Sequence, residues 1–521
     1  MKLSDWKLTT WYLIFCCMVF NWGNILFGID VSAFGALQTL PSWLDTFGTP
    51  NASGSKVLTT NRSSIMNSVV WLGKLTGTII FEPLLERVGF KKTVLVGAFA
   101  QIIGVIIEIT AKEWIQFTVG RVLTYAAVGI IETTVPTYEA ELAPAPLRGF
   151  FAGNVQVFVH IGAIWGSGMS RAFADEMGPR GWKIPVGVQM IPSVLLLILI
   201  PFCIESPRWL LSHGQKEKAI ISLNKIRPAH QEEDGTTVAE AETIEQAIQE
   251  SREIGEGQWL DLFRKSHRRQ AWICAMMFFF NQTTGQQFAN VYGPSFYRAM
   301  GLNNEDIFTY TILIPVVGLA GCTIAVCLTD IVGRRPLTYI GAALAVLFSA
   351  LIAAIGSDPS SSTDAVKSNV VVASVMLLNG VCKFGVSSQC YLVASEIGGT
   401  QMRKKMLAWA TFNDVIFAFI VTFCIPYLQD GPAIQLGAEV GYIFMGAAII
   451  AFFWSIFFLP ELRGRSLEEV DELFERKLWA WQFNKAESRG LGAEIARIEE
   501  GAHANFQIKP TSRFQEKVTD P

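Results

Sequence analysis

The stretches LERVGFKK, Leu85 to Lys92, and LTDIVGRRP, Leu328 to Pro336, are one local design written twice. Each carries an acid, then a glycine, then a base at the same spacing: Glu86, Gly89 and Lys91 in one, Asp330, Gly333 and Arg335 in the other. A single offset relates all three pairs, and each stretch closes the second apolar block of its half. A second echo links Glu141 and Arg148, after the fourth block, with Glu396 and Arg403, after the tenth. Such repetition points to two copies of a six-segment unit.

The segments are apolar blocks long enough to cross a bilayer core. They run roughly over 11–33, 63–81, 93–111, 115–136, 150–170, 184–204, 271–297, 308–329, 337–356, 369–394, 407–428 and 438–459. Of the 521 residues 51% are hydrophobic and only 17% charged, against about 25% charged in soluble domains. No ten-residue segments alternate at period two, which argues against a transmembrane β-barrel. The first block has no small-residue cleavage site and reads as an anchor rather than a cleaved leader. The expected fold is all-α and polytopic: twelve transmembrane helices in two six-helix bundles. Residues 1–205 form the first bundle and 269–460 the second. Residues 206–268 make a cytoplasmic linker with short amphipathic helices, among them one carrying Ile244, Ala247 and Ile248, and 461–521 form a cytoplasmic tail.

Basic residues set the orientation. Arg87, Lys91 and Lys92, then Arg334 and Arg335, then Arg403, Lys404 and Lys405 follow the second, eighth and tenth blocks, and the linker adds Arg264, Lys265, Arg268 and Arg269. That bias places both termini in the cytoplasm, although Arg171, Arg180 and Lys183 run against it. The first external loop then holds two glycosylation sequons, at Asn51 and Asn61. The nine cysteines fall in or beside apolar blocks at no metal-ligand spacing, which makes them packing residues. No nucleophile–base pair suggests an enzyme, and the net charge of −3 singles out no nucleic-acid partner.

Four motifs appear in order: PTYEAELAPAPLRG (Pro136 to Gly149), ESPRWLL (Glu205 to Leu211), DIVGRRP (Asp330 to Pro336) and PELRGRSLEEVDELF (Pro460 to Phe474). With them the chain resembles the sugar porter family of the major facilitator superfamily, and CYLVASEIGGTQMRKK (Cys390 to Lys405) is most similar to fungal members. The resemblance implies a plasma-membrane importer of a mono- or oligosaccharide that works by proton symport and alternating access. It implies no cofactor or metal, and a monomer in the lipid bilayer whose only partners are sugar and proton. It also implies gating ion pairs at the cytoplasmic ends of the spans, from Glu86, Arg87, Glu141, Arg148, Asp330, Arg334, Arg335, Glu396 and Arg403. Phe90 departs from the pattern, which usually has Arg there, and should thin the network of the first half.

One carboxylate, Asp30, interrupts the apolar run ILFGIDVSAFGAL. A charge at the bilayer centre costs about 2.5–3.5 kcal/mol, so such a residue faces a cavity and has a partner. The resemblance makes Asp30 the proton carrier and Arg121, opening the fourth span, its partner. Substrate contacts would come from Gln156 and from NQTTGQQFANVYG, with Asn281, Gln282, Gln287 and Tyr292. The second half departs from the pattern: Tyr391 stands where a sugar-stacking Trp is usual, and Asp414, beside Asn413, near a usual Asn. Lys383 and Lys74 are unexpected cations. Lys383 is expected to pair with Asp414; alternatively Lys383 or Lys74 receives an acidic sugar. His160, one turn beyond Gln156, could relay protons. The competing readings are a passive uniporter, a uronate symporter, a polyol carrier and a non-transporting sugar sensor. The sensor reading is weakened by the short tail and the intact Arg148.

Overall fold

The computed structural model describes residues 9–486 apart from 51–55, 144–147, 230–234, 255–258, 265–266, 359, 361–363, 399–401, 432–434, 464, 466 and 484–485, and a few side chains within helices, including those of Arg148, Asp330 and Arg403. Among the described residues, ten helices are long and apolar enough to cross a membrane. Spans 1 to 4 are Trp11–Leu37, Thr60–Val88, Phe90–Ile109 and Trp114–Leu142, and span 6 is Arg180–Phe202. Spans 8 to 12 are Asn304–Thr329, Arg334–Gly356, Ala365–Ile397, Lys405–Gln429 and Gly437–Phe457.

The other two spans are less regular. Span 5, Arg148–Ala172, is a continuous helix in which Asn154, Gln156 and His160 dilute the apolar run. Span 7 is broken: one helix covers Arg268–Thr283, a π turn covers Phe288–Tyr292, and a short helix covers Gly293–Ala299. Gly285 lies between them at φ +104°, a conformation a side chain would resist. Span 10 has its own π turn at Lys383–Ser387.

Capping side chains start several of these helices, as the rule for orphan amides requires. Thr10 accepts from the Leu13 amide at 3.2 Å, Asn303 from Asp306 at 2.8 Å, and Asp364 from Val366 at 2.9 Å. Side-chain packing then sorts the helices. Leu13, Phe20, Phe90, Tyr138, Leu211 and Leu223 share one core, and Phe34, Trp43, Phe117 and Trp182 another, both largely within the first six spans. Phe278, Met406 and Phe474 lie in a third core, and Phe288, Tyr297 and Phe444 in a fourth, both largely within the last six. The linker helices Lys216–Ile226 and Thr236–Ile254 lay Ala219, Leu223, Ile244 and Ile248 against the first core. The tail helix Leu467–Glu475 joins the third.

Two pairs of helices make the most extensive junctions between the halves, span 2 against span 11 and span 5 against span 8, and span 1 also meets span 7. Val70, Trp71 and Tyr125 pack on Val415 and Ala418 at the first seam. At the end away from the termini, Ser64 donates to the Phe423 carbonyl at 2.9 Å and Tyr427 to Asn61 at 3.1 Å. Arg171 pairs with Glu305 at 2.9 Å, and Arg298 donates to the Thr39 carbonyl. That end is closed.

The sequence repeat around Gly89 and Gly333 is also a structural repeat. Gly89 (φ +85°) and Gly333 (φ +108°) both sit in left-handed space just before a span. Each exposes the first amides of the next helix to a glutamate from a later motif. Glu205 accepts from the Phe90 and Lys91 amides at 2.8 and 3.3 Å; Glu461 accepts from Arg334 and Arg335 at 3.0 and 3.1 Å. Burial pushes the Glu205 carboxyl up from its usual range, and the backbone donors oppose that shift.

Candidate substrate and proton site

The buried charge of the first half centres on Asp30. Its carboxylate is 1% exposed and the Arg121 side of the pair 2%. Arg121 Nη2 donates to Asp30 Oδ1 at 2.8 Å, and its Nη1 to the Met66 carbonyl at 2.9 Å. The guanidinium lies 3.6 Å over the Phe34 ring, a favourable place for a desolvated cation. Thr124 Oγ1 lies 2.9 Å from Asp30 Oδ2 and 3.4 Å from Glu108 Oε1. The Thr124 hydroxyl thus lies between two carboxylates, of which the guanidinium pairs with Asp30. Glu108 was left without a role by the sequence; the signal was its place in an apolar span, but its partner is set by packing.

In the second half the buried carboxylate has no such cation. Asn281 Nδ2 reaches Asp414 Oδ1 at 3.1 Å and Gln282 Nε2 reaches it at 2.5 Å. Tyr391 donates its hydroxyl to Oδ2 at 3.0 Å. No ion pair joins Lys383 to Asp414 among the described residues, so the expected pairing is corrected: amides and a phenol satisfy the acid instead. Lys74 likewise is not free for a substrate. Its ammonium pairs with Glu132 at 2.7 Å and lies 4.3 Å over the Phe27 ring.

The span 7 amides bond to one another. Gln287 donates to Gln282 at 2.7 Å and Gln286 to Asn281 at 3.1 Å, while Ser387 donates to Asn281 at 2.6 Å. Asn290 donates to Asn379 at 2.9 Å. Gln286, Ser387, Asn290 and Asn379 were missed by the sequence reading. Asn290 and Ser387 lie within the π turns of spans 7 and 10, and period 3.6 reasoning cannot foresee a π turn. Gln156 is half-buried, and among the described residues its amide has no hydrogen-bond partner. The Tyr292 hydroxyl donates to the Thr422 carbonyl at 2.7 Å, on span 11. Asn413 turns back on its own helix, donating to the Trp409 carbonyl at 2.7 Å.

A family model described as "Sugar (and other) transporter" matches residues 16–474. The chain belongs to this sugar transporter family. Similar members include the low-affinity glucose transporter HXT3 of Saccharomyces cerevisiae, 26% identical over 481 residues, 90% of this chain and 83% of the relative. The galactose transporter of the same yeast is 25% identical over 481 residues, 89% and 82%. The fold matches that of the proton:xylose symporter XylE bound to 6-bromo-6-deoxy-D-glucose. That match has TM-score 0.71 and 22% identity, over 89% of this chain and 99% of that one. An inward open structure of the xylose transporter XylE from E. coli gives 0.71 and 21%, over 89% and 100%. The all-α major facilitator architecture expected from the sequence is therefore the architecture of this sugar transporter.

Among the expected gating residues, Arg334 grips Glu396 through two nitrogens, at 2.7 and 3.2 Å. Arg335 donates to the Ile456 carbonyl at 2.5 Å. Ser206 donates to Glu141. Glu86 and Arg87 are exposed, and the Glu86 carbonyl bonds His213 Nε2 at 2.9 Å. The side chains of Arg148, Asp330 and Arg403 lie outside the described residues, as does Asn51; Asn61 meets Tyr427 as above. Phe90 is buried with its ring 5.5 Å from Tyr138, so an aromatic contact stands where the second half has an ion pair.

Proposed function

We propose that this sugar transporter imports its substrate into the cytoplasm by proton symport. It would do so as a monomer in the plasma membrane, with both termini cytoplasmic. The two halves, 1–205 and 269–460, rock about a site between them, and the expected cytoplasmic ion pairs open and close on the inner face. The observation that carries the reading is the buried Asp30–Arg121 pair at 2.8 Å. An ion pair out of water is held only while both partners stay charged, and losing one strands the other at a cost of about 3–5 kcal/mol. Protonation of Asp30 competes with Arg121 and loosens spans 1 and 4. Ionisation restores the clamp.

The substrate would lie among Gln156, Asn281, Gln282, Gln287 and Tyr391, with Asn413, Asp414 and Lys383 at its border. Polar groups in such number inside a bundle suit a polyhydroxylated ligand, since each ring hydroxyl needs a donor or acceptor. Binding exchanges amide–amide bonds for amide–hydroxyl bonds, so affinity depends on how the ligand matches the span 7 network. The cross-half contacts at the end away from the termini support an inward-facing state. That one solved relative in fold is called a proton:xylose symporter also supports coupling.

A passive uniporter is the alternative that coupling must beat. The test is uptake of a labelled sugar panel in a transporter-deficient yeast at two external pH values. Acid should stimulate concentrative uptake by the parent, and Asp30→Asn should leave only equilibration. Acid-stimulated accumulation that survives Asp30→Asn would remove the coupling assignment.

A further inference from the structure

The described cations buried among the spans are mostly accounted for: Arg121 has Asp30, Lys74 has Glu132, and Arg334 has Glu396. Lys383 is different. Its ammonium has no ion pair and no hydrogen bond among the described residues, although it sits mid-membrane on the π turn of span 10. The titratable groups facing it are His160 of span 5, Cys322 of span 8, Cys382 and Cys390 of its own span, and Asp414 of span 11. Asp414, the one acid among them, already accepts from Asn281, Gln282 and Tyr391.

An ammonium inside a membrane is costly and normally paired. Lys383 is half-buried, not sealed in the core. We propose that Lys383 binds the carboxylate of an acidic sugar, a uronic or aldonic acid, and that this class is the transported substrate. The inference rests on the transport reading above and names its cargo. The surroundings fit a ligand with one anionic end. Opposite Lys383, on span 5, His160 Nδ1 is tied to the Gln156 carbonyl at 2.8 Å. One turn away, the Gln156 amide is open for a ring hydroxyl. The span 7 amides offer further hydroxyl partners, while the Asp414 carboxylate, screened by two amides and a phenol, is kept from Lys383. A charge-assisted contact to a carboxylate is about twice as strong as a neutral one, which makes Lys383 the residue that sorts acidic from neutral sugars.

The full chain in transporter-deficient yeast would be given labelled D-galacturonate and D-galactose in parallel, with surface expression measured for each variant. The parent should take up galacturonate at least as fast as galactose. Lys383→Met should lower the galacturonate-to-galactose uptake ratio about tenfold or more, the effect of losing a hydrogen bond to a charged group. Lys383→Arg, which keeps the charge, should retain most of the ratio, and Lys383→Gln serves if the methionine variant does not reach the membrane. A parent that carries galactose but no galacturonate, or a ratio unmoved by Lys383→Met, overturns the inference and leaves the transport reading standing. A parent that carries no sugar of a wider panel overturns both.

Discussion

Asp30 and Asp414 are buried carboxylates in opposite halves, and the two halves satisfy them by different chemistry. Asp30 has a guanidinium at 2.8 Å and a threonine hydroxyl. Asp414 has two amides and a phenol, while the cation in its neighbourhood, Lys383, stays apart. An acid held by a fixed cation can trade that cation for a proton. An acid held by neutral donors orients them, so that their remaining lone pairs and N–H groups face a ligand in one arrangement. On the function proposed above, the difference would divide the labour: the first half would handle the proton, and the second, with Gln156 of span 5, would read the substrate.

The largest effect should come from breaking the first of these arrangements. Inward proton movement supplies about 2.3 kcal/mol per 100 mV and about 1.4 kcal/mol per pH unit. Under the proposed coupling, Asp30 is where that energy enters. The steady-state accumulation ratio of Asp30→Asn should fall to about one, while counterflow exchange of preloaded labelled sugar continues. Exchange lost together with accumulation would mean that the pair only holds the fold.

Next in size is the Lys74–Glu132 pair, which tests whether every charge in the first half needs its partner. Its side chains are 4% and 16% exposed. Lys74→Met strands Glu132 and should lower stability by about 3–5 kcal/mol, read as a fall in the melting temperature of the detergent-purified protein. The double variant Lys74→Met with Glu132→Leu should recover most of that loss. Failure of the double change to recover would show the two charges to be independent.

Asp414→Asn probes the other half. The carboxylate becomes an amide whose NH2 faces either the Tyr391 hydroxyl or, if flipped, both the Asn281 and the Gln282 donors, which share Oδ1. A hydrogen bond to a charged group is worth about 1.5–3 kcal/mol, so sugar affinity should drop some tenfold to hundredfold through KM. Maximal velocity and acid stimulation should change little, since Asp30 is untouched. A loss of acid stimulation here would end the division of labour between the halves.

How much of this was written in the sequence depends on the range of the interaction. The spans, the repeat and the need of Asp30 for a partner were legible because length, offset and a lone charge in an apolar run are local signals; that the partner is Arg121 came from the family resemblance. The amides of span 7 were legible as polar groups out of place. Their mutual bonding was not, because it requires the break at Gly285 and two π turns whose partners lie on other helices. The partners of Lys74 and Lys383 failed for the same reason. Sequence shows that a buried cation needs an acid, but Glu132 and Asp414 could each have served, and only packing decides which one lies within reach.

The smallest effect concerns the feature in which the halves agree. Gly89 and Gly333 hold the same left-handed backbone, and each leaves room for a glutamate, Glu205 or Glu461, against the next helix start. With ψ of 171° and 165° this is a backbone only glycine adopts readily, and an alanine pays about 1–3 kcal/mol for it. Its Cβ would also lie 2.7 Å from Glu205 Oε2 in the first case and 2.5 Å from Glu461 Oε2 in the second. Gly89→Ala and Gly333→Ala should therefore lower the melting temperature by similar amounts. They should separate in transport, because Gly333 also positions Arg334 against Glu396, whereas Gly89 positions Phe90 against Tyr138. A disturbed ion pair alters the balance between conformations, and a disturbed aromatic contact alters packing alone. The second-half variant should then change the uptake rate more than the first. Equal losses in rate would mean that the ion pair of the second half carries no more of the gating than the aromatic contact of the first.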